Sequence, residues 1–194
     1  MDSAGSKLLN HLRRLTVPAM ACLAPASLAC QVSVEGPEPL GDPIPVSTQA
    51  AEQLGEAWQA ALAGAPTVIV LLDETQLSSF LTFKLEAQET TILHDPQVFL
   101  RDGLIQIFGT NQQGPLEATV LVCLAPRLNP DGTILFEIVS ADFGPLPAPE
   151  ALREGVSGLL TEALTTPLGS LAAGVHLTAV AVADGQMAIV GEVR

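Results

Sequence analysis

Apolar residues recur with helical spacing between residues 47 and 86, on either side of a short apolar run. One helix is predicted from Ser47 to Gly64. A second helix is predicted after Asp73, which stands at the N-cap position with Gln76 three residues later, as in a capping box. The run from residue 67 to 72 between them is typical of a strand. The predicted buried stripes comprise Leu54, Ala57, Trp58, Ala61 and Leu62 in the first helix and Leu77, Phe80, Leu81 and Leu85 in the second.

Three Asp-Gly pairs flanked by apolar segments predict three β-hairpins in the rest of the chain. They join residues 97–100 to 104–108, residues 116–124 to 133–140, and residues 175–182 to 186–193. Because hairpins join antiparallel strands, the sequence favours an antiparallel meander over a parallel sheet. A third helix is predicted from about Pro149 to just before Thr165, with Leu159 and Leu160 on its apolar face. The predicted fold class is α+β, with two to three helices packed against the meander.

The predicted strands are apolar on more than one face. In residues 116–124 one face is wholly apolar, and the other still carries Leu121 and Cys123 beside Glu117 and Thr119. A sheet with one wet face alternates more cleanly than this, so much of the sheet must be covered on both sides. Two arrangements remain open: a solid two-layer core, or a sheet that leaves a lined groove or a partner-binding patch.

Residues 1–29 have the layout of an export signal. Lys7, Arg13 and Arg14 precede a charge-free stretch, and small residues precede Cys30. An amphipathic helix that stays on the protein is the alternative interpretation. Leu28-Ala29-Cys30 resembles the lipobox of bacterial lipoproteins, whose cysteine receives a diacylglyceryl group, although Ser27 stands where the lipobox has a large aliphatic residue. Simple cleavage after Ala29 also fits, and residues 19–22 contain a weaker competing motif.

The segment from residue 30 to 46 is rich in proline and acidic residues, and this composition predicts an extended tether. A tether between a lipidated Cys30 and a domain at residues 47–194 suits a surface lipoprotein. A proline-rich linker without that role has the same composition.

Composition and charge exclude several classes of function. Of the 194 residues, 48% are hydrophobic, and 8 Lys+Arg stand against 21 Asp+Glu, for a formal net charge of -13. Nucleic-acid binding needs clustered cations, and intrinsic disorder needs a more polar chain, so neither is expected. The same charge would repel anionic headgroups, so any membrane attachment is expected to come from a lipid anchor.

The sequence offers little for catalysis. It has three His, three Cys and no Tyr, and it contains no Gly-x-Ser-x-Gly, His-Glu-x-x-His, P-loop or Cys-x-x-Cys motif. His94-Asp95 and Asp142 are interpreted as turn residues, and His176 as a half-exposed strand residue. Cys123 is interpreted as a buried, inert thiol. We expect neither an enzyme nor a bound cofactor or metal.

Four features follow one another along residues 47–194. They are the helix–strand–helix order with Asp-Glu-x-x-Leu at residues 73–77, Pro-Gln-Val-Phe-Leu-Arg-Asp-Gly-Leu-Ile-Gln-Ile-Phe-Gly at 96–109, Val-Ser-Ala-Asp-Phe-Gly-Pro-Leu-Pro at 139–147, and the strand pair around 183–185. This order resembles bacterial envelope proteins related to the tubular lipid-binding (TULIP) superfamily. The resemblance implies a highly curved antiparallel meander wrapped on helices, with acyl chains or phospholipids in the apolar tube between them.

The resemblance also implies a lining for that tube. The expected function is therefore non-enzymatic binding of a lipid or another hydrophobic ligand outside the cytoplasm, at the cell envelope. The alternative is a structural or protein-interaction domain of the envelope with a solid core, which meets a partner or a second copy of itself as a homodimer. The expected ligand-lining residues are Phe80, Leu81, Phe99, Ile105, Ile107, Val120, Val122, Phe136, Ile138, Leu159 and Leu160.

Overall fold

The structure, a computed structural model, describes residues 32–34, 36–39, 41–64, 66–87, 93–113, 116–144, 154, 158 and 175–193. The predicted signal and Cys30 lie outside these residues, as does the predicted third helix apart from Glu154 and Gly158, whose backbone is helical. The described elements form an α+β fold. Their order is β1 (Val32–Val34), α1 (Thr48–Gly64), β2 (Thr67–Asp73), α2 (Glu74–Glu86), β3 (His94–Arg101), β4 (Leu104–Gln113), β5 (Leu116–Leu128), β6 (Ile134–Asp142), β7 (Val175–Ala183) and β8 (Gln186–Val193).

The two predicted helices and the capping box are confirmed. The Asp73 carboxylate accepts from the backbone N–H of Gln76 at 2.8 Å, and the Gln76 side-chain oxygen accepts from the backbone N–H of Asp73 at 3.0 Å. These two bonds satisfy donors that the first turn of a helix otherwise leaves unpaired. The turn from β2 into α2 is therefore fixed by residues only three positions apart.

All three predicted hairpins are confirmed. β3 pairs with β4, β5 with β6, and β7 with β8, each antiparallel. Asp102 and Gly103 both have positive φ, at 54° and 76°, which is the backbone that a type I′ turn requires. Gly132 and Gly185 in the other two turns also have positive φ.

The expectation of a single curved meander is not confirmed, because the strands divide between two sheets and neither sheet is strongly curled. The five-stranded sheet has the order β1-β5-β4-β3, with β6 also paired to β5. The three-stranded sheet has the order β2-β8-β7. The last hairpin pairs with β2 through seven residue pairs from Thr67↔Glu192 to Asp73↔Gln186, and this pairing places it in a sheet of its own.

Parts of the predicted tether lie against the five-stranded sheet. β1 pairs in parallel with β5, from Val32↔Leu116 to Val34↔Ala118. The backbone of Ile44 exchanges two hydrogen bonds with the Gln97 side chain, at 2.5 and 3.3 Å. The segment therefore contacts the domain at both of these points, and the domain boundary at residue 46 stays a prediction.

The helices and the inner faces of both sheets share one hydrophobic core. α1 contributes Leu54 and Trp58, and α2 contributes Leu77, Leu81 and Leu85, all of them buried. The two sheets are also joined by hydrogen bonds from the three-stranded sheet to turns and strands of the other: Leu177 N–H donates to Gly132 O at 3.2 Å, and Gly185 N–H donates to Leu100 O at 3.0 Å. The helices and strands thus form one packed unit.

Candidate functional site

Six of the expected ligand-lining residues lie together in the hydrophobic core. Their side chains come from α2, β4, β5 and β6, and all are buried among other core residues. They are Leu81, Ile105, Ile107, Val120, Val122 and Phe136. Phe80 is partly buried and packs against the same cluster. The sequence therefore grouped these positions as the structure does, in an interior that these side chains themselves fill.

The structure does not bring the other expected lining residues into that group. Phe99 lies on the opposite face of the five-stranded sheet, where its ring packs edge-on against Phe108 with centroids 5.6 Å apart. Strand periodicity explains this position, because its neighbours Val98 and Leu100 face the core and successive side chains alternate. Ile138 on β6 is 41% exposed. Leu159 and Leu160 lie outside the described residues.

A small cleft opens beside the C-terminal end of α2. Its volume is about 90 Å³, and its lining includes Leu85 and Leu93 from the core together with Glu86, His94 and Asp95. Ligand pockets for drug-sized molecules are typically about 300–1,000 Å³. This cleft therefore has room for a few water molecules and not for an acyl chain.

The three-stranded sheet carries exposed apolar side chains on its outer face. Ile69 and Leu71 of β2 are 61% and 55% exposed. Paired residues of adjacent strands point to the same side of a sheet, so the register extends this surface across β8 and β7 in two rows. One row is Ile69, Val190 and Ala179, and the other is Leu71, Ala188 and Ala181. We call these six residues the outer apolar face.

Polar residues border the outer apolar face at both ends of β2. Thr67 pairs with Glu192 at one end, and Asp73 pairs with Gln186 at the other. An exposed apolar surface with a polar rim is typical of a site that binds another molecule. The inward side chains Val68, Val70 and Leu72 of the same strand are buried in the core.

The sequence did not reveal this surface. The run at residues 67–72 is apolar at all but its first position, so alternation gives no sign of which side chains face outward. The signal that was present lies in β7, where alanine recurs at residues 179, 181 and 183 on alternate positions. Small residues at every second position leave room for another molecule to approach the sheet closely.

The outer edges of the described strands differ in whether their backbone groups are already hydrogen-bonded. The free edge of β3 is covered by α2, since Ser78 Oγ accepts from Val98 N–H at 2.8 Å and Glu74 Oε1 accepts from Leu100 N–H at 2.8 Å. Glu74 is held there by an ion pair with Arg101. β7 donates one hydrogen bond to the other sheet, from Leu177 N–H, and the β7–β8 turn donates the other, from Gly185 N–H. β2 ends the order of its sheet, and no described strand pairs with its outer edge.

The candidate residues for chemistry have structural roles. Asp142 Oδ1 accepts from Gly144 N–H at 3.0 Å, which confirms its turn role. The turn interpretation of His94-Asp95 is wrong, because both residues lie in β3; the positive φ of Asp95, 48°, falls where the register of β3 with β4 shifts between His94 and Gln97. The His176 ring nitrogen Nδ1 lies 3.2 Å from Asp131 O in the β5–β6 turn. Cys123 is buried with a free thiol.

The described residues hold no group of three or more His, Cys, Asp or Glu side chains placed to bind a metal ion. None of their helices has the length and apolar character needed to span a membrane. The chain matches no protein-family model and no curated protein.

Proposed function

We propose that this protein is a non-enzymatic interaction domain of the cell envelope, which binds a protein partner through the outer apolar face. The observation that carries the proposal is the exposure of Ile69 and Leu71 in a surface whose two rows hold no polar side chain. Leaving such side chains in water is unfavourable, and a partner that covers them gains hydrophobic free energy.

The packing of the interior supports the same proposal. Six of the expected lining residues already contact other core side chains, so the described interior is occupied by the protein itself. A domain of this kind presents binding surface on its outside. Its export signal and lipid anchor, which the N-terminal sequence predicts, would place that surface in the envelope.

A photo-crosslinking experiment tests the proposal in cells that produce the full chain. A photoreactive amino acid replaces Ala181, in the outer apolar face, and in a matched control it replaces Glu56, which is exposed on α1. We expect a discrete protein adduct from position 181 and none from position 56. Loss of that adduct in the additional variant Leu71→Asp would show that it depends on the apolar surface. Absence of any protein adduct from position 181 would contradict the proposal.

A second candidate function is binding of a lipid or another hydrophobic ligand in the interior. The observation that favours it is the convergence of six expected lining residues between α2 and the five-stranded sheet, with Leu135, Ile138 and Val139 exposed on β6. The TULIP-like curved arrangement belongs to this candidate. The cleft beside α2, at about 90 Å³, is too small for an acyl chain, so this candidate needs a larger space than that cleft provides.

Native mass spectrometry separates the two candidates. Protein purified from its producing cells would carry an acyl ligand if the second candidate is correct, and a fluorescent fatty acid would exchange with that ligand. A mass equal to the polypeptide and its anchor alone, with no uptake of the fluorescent fatty acid, would exclude the second candidate. The anchor has its own test: labelled palmitate is expected to enter the wild-type chain and not Cys30→Ala.

A further inference from the structure

No described strand pairs with the outer edge of β2, and the backbone groups of that edge lie in line with the exposed side chains. Val193 N–H donates to Pro66 O at 2.9 Å, and this bond fixes which β2 residues are hydrogen-bonded to β8. In an antiparallel ladder every second residue bonds to a given neighbour. Val68, Val70 and Leu72 therefore bond to β8, whereas Ile69 and Leu71 direct their N–H and C=O groups away from it.

Protein sheets normally protect such an edge with a charge, a proline, a bulge or a covering segment. The edge of β3 is covered by the polar side chains of Glu74 and Ser78. Between residues 67 and 72, β2 has no charged residue and no proline, and its register with β8 is continuous. The contrast between these two edges indicates that the β2 edge is adapted for pairing with another strand.

We propose that the strand which pairs with β2 is β2 of a second copy of this chain, antiparallel to it and related by a two-fold axis near Val70. The proposal goes beyond the proposed function, because it concerns the backbone edge of β2, whereas most of the outer apolar face stays open to the protein partner proposed above. In this register Ile69 lies opposite Leu71 of the second copy, and the two residues can exchange both backbone hydrogen bonds. The two three-stranded sheets then join into one six-stranded sheet.

Side-chain chemistry favours a second copy in this orientation. Each exposed apolar side chain of β2 meets an apolar side chain, because Ile69 faces Leu71 of the second copy and Leu71 faces Ile69 of the second copy. Asp73 lies opposite Thr67 of the second copy, so no two carboxylates face each other on adjacent strands. In a parallel arrangement, Asp73 would lie beside Asp73 of the second copy, which is unfavourable.

Charge sets the salt dependence of this dimer. The nearest acidic neighbour of Asp73 across the axis would be Glu192 of the second copy, two strand spacings or about 10 Å away. Such a distance exceeds the Debye length of about 8 Å at physiological ionic strength. Each copy carries a formal net charge of -13, so the copies repel one another most strongly at low salt. Added salt is therefore expected to strengthen the dimer, as a hydrophobic interface between like-charged copies requires.

Analytical ultracentrifugation of the full chain provides the first test. We expect a monomer–dimer equilibrium for the wild-type protein at about 100 μM, with tighter association when NaCl is raised from about 0.05 to 0.5 M. Ile69→Lys is expected to raise the dimer dissociation constant about 100-fold, because the two-fold axis places the substitution in the interface twice.

Ala181→Lys is the matched control, since residue 181 belongs to the outer apolar face but lies on β7, two strands from the β2 edge. We expect its dissociation constant to stay within about three-fold of the wild type, because the screened charge lies about 10 Å from the edge. Equal weakening by the two substitutions would indicate that the copies meet face to face, and it would overturn the edge pairing. The fluorescence of Trp58 establishes that each variant is folded.

Amide hydrogen exchange, measured by NMR at low and high protein concentration, tests directly whether the β2 backbone is hydrogen-bonded in the dimer. Side-chain contacts without backbone pairing would not slow the exchange of specific β2 amides in this pattern. The amides of Ile69 and Leu71 are expected to exchange quickly in the monomer and at least about ten-fold more slowly in the dimer. The amides of Val68 and Val70, bonded to β8, serve as the internal control and are expected to stay protected in both. A dimer in which Ile69 and Leu71 exchange at the monomer rate would overturn the proposal.

A wild-type chain that remains monomeric at every salt concentration would overturn the self-pairing. The proposed function would survive that result if the crosslinked adduct from position 181 contains a different protein. An adduct from position 181 with the mass of two copies of this chain would support the proposed function, but it would show that the copies meet face to face and would overturn the edge pairing.

Discussion

Truncation of Leu81 tests whether the interior is a packed core. Leu81 lies on α2 with 0% of its surface exposed, among core residues of both helices and both sheets. Ile138 provides a matched comparison because the sequence assigns both residues to the same ligand lining, whereas the structure leaves Ile138 41% exposed on β6. Leu81→Ala and Ile138→Ala each remove a branched aliphatic side chain down to the β-carbon.

The expected free-energy losses follow from burial. Removing three buried carbons costs about 2.4 kcal/mol at about 0.8 kcal/mol for each methylene. The cavity left in a packed interior raises the loss for Leu81→Ala to about 3–5 kcal/mol. For Ile138→Ala only the buried fraction of the side chain counts, and no closed cavity forms, so the expected loss is about 1.5 kcal/mol. The two variants should therefore differ by at least about 1.5 kcal/mol.

Urea denaturation followed by tryptophan fluorescence measures this difference. Trp58 is the single tryptophan of the chain and is buried in the same core, so its emission reports loss of the packing around Leu81. With a urea slope of about 2 kcal/mol per molar, the midpoint of Leu81→Ala should lie at least about 0.8 M below that of Ile138→Ala. Equal midpoints, or an Leu81→Ala variant as stable as the wild type, would refute the packed interior and favour an interior open to ligand.

Three further predictions concern local interactions. Asp73→Ala removes the capping box of α2 and should lower the free energy of unfolding by about 0.5–2 kcal/mol in the same urea assay; an unchanged midpoint would contradict the cap. Glu74→Ala leaves a backbone N–H of β3 without its acceptor and should cost about 1–3 kcal/mol. The exposed ion pair Arg127–Glu137 provides the control, since Glu137→Ala should lower the free energy of unfolding by about 0–1 kcal/mol. A larger loss for Glu137→Ala than for Glu74→Ala would contradict the role given to Glu74. Gly132→Ala and Gly185→Ala both place a side chain at positive φ, which should lower the free energy of unfolding by about 1–2 kcal/mol in each variant. Only at residue 132 would the new Cβ meet another side chain, so the Gly132→Ala variant should have the lower thermal unfolding midpoint.

The expected site shows where sequence reasoning succeeds and where it stops. Helical and strand periodicity placed Leu81, Ile107 and Val122 on inward faces, and the structure groups them in one core. The resemblance to the TULIP superfamily assigned Phe99 to the same group, although Phe99 is adjacent to two inward-facing residues and so points to the opposite face of the sheet. Periodicity identifies which residues avoid water, but it does not distinguish a side chain that packs in a core from one that lines a cavity.

The exposed edge of β2 could not be predicted from the sequence, for a different reason. Ile69 and Leu71 alternate with equally apolar neighbours, so no pattern marks them as exposed. Their exposure follows from the pairing of Thr67 with Glu192 and of Asp73 with Gln186, which joins segments more than a hundred residues apart. Which strand becomes an edge depends on all the pairings of the sheet together.

The sequence by itself determined the local elements of this protein: the capping box at Asp73, the turns at the Asp-Gly pairs, and the inward stripe of each described helix. These features form between residues a few positions apart, where backbone geometry and short-range hydrogen bonds decide the outcome. Only the tertiary structure decided that the strands separate into two sheets, that α2 covers the edge of β3, and that no described strand pairs with the outer edge of β2. Those outcomes depend on contacts between segments that are distant in sequence, because the strand with which a given strand pairs depends on which strand edges the other pairings leave free.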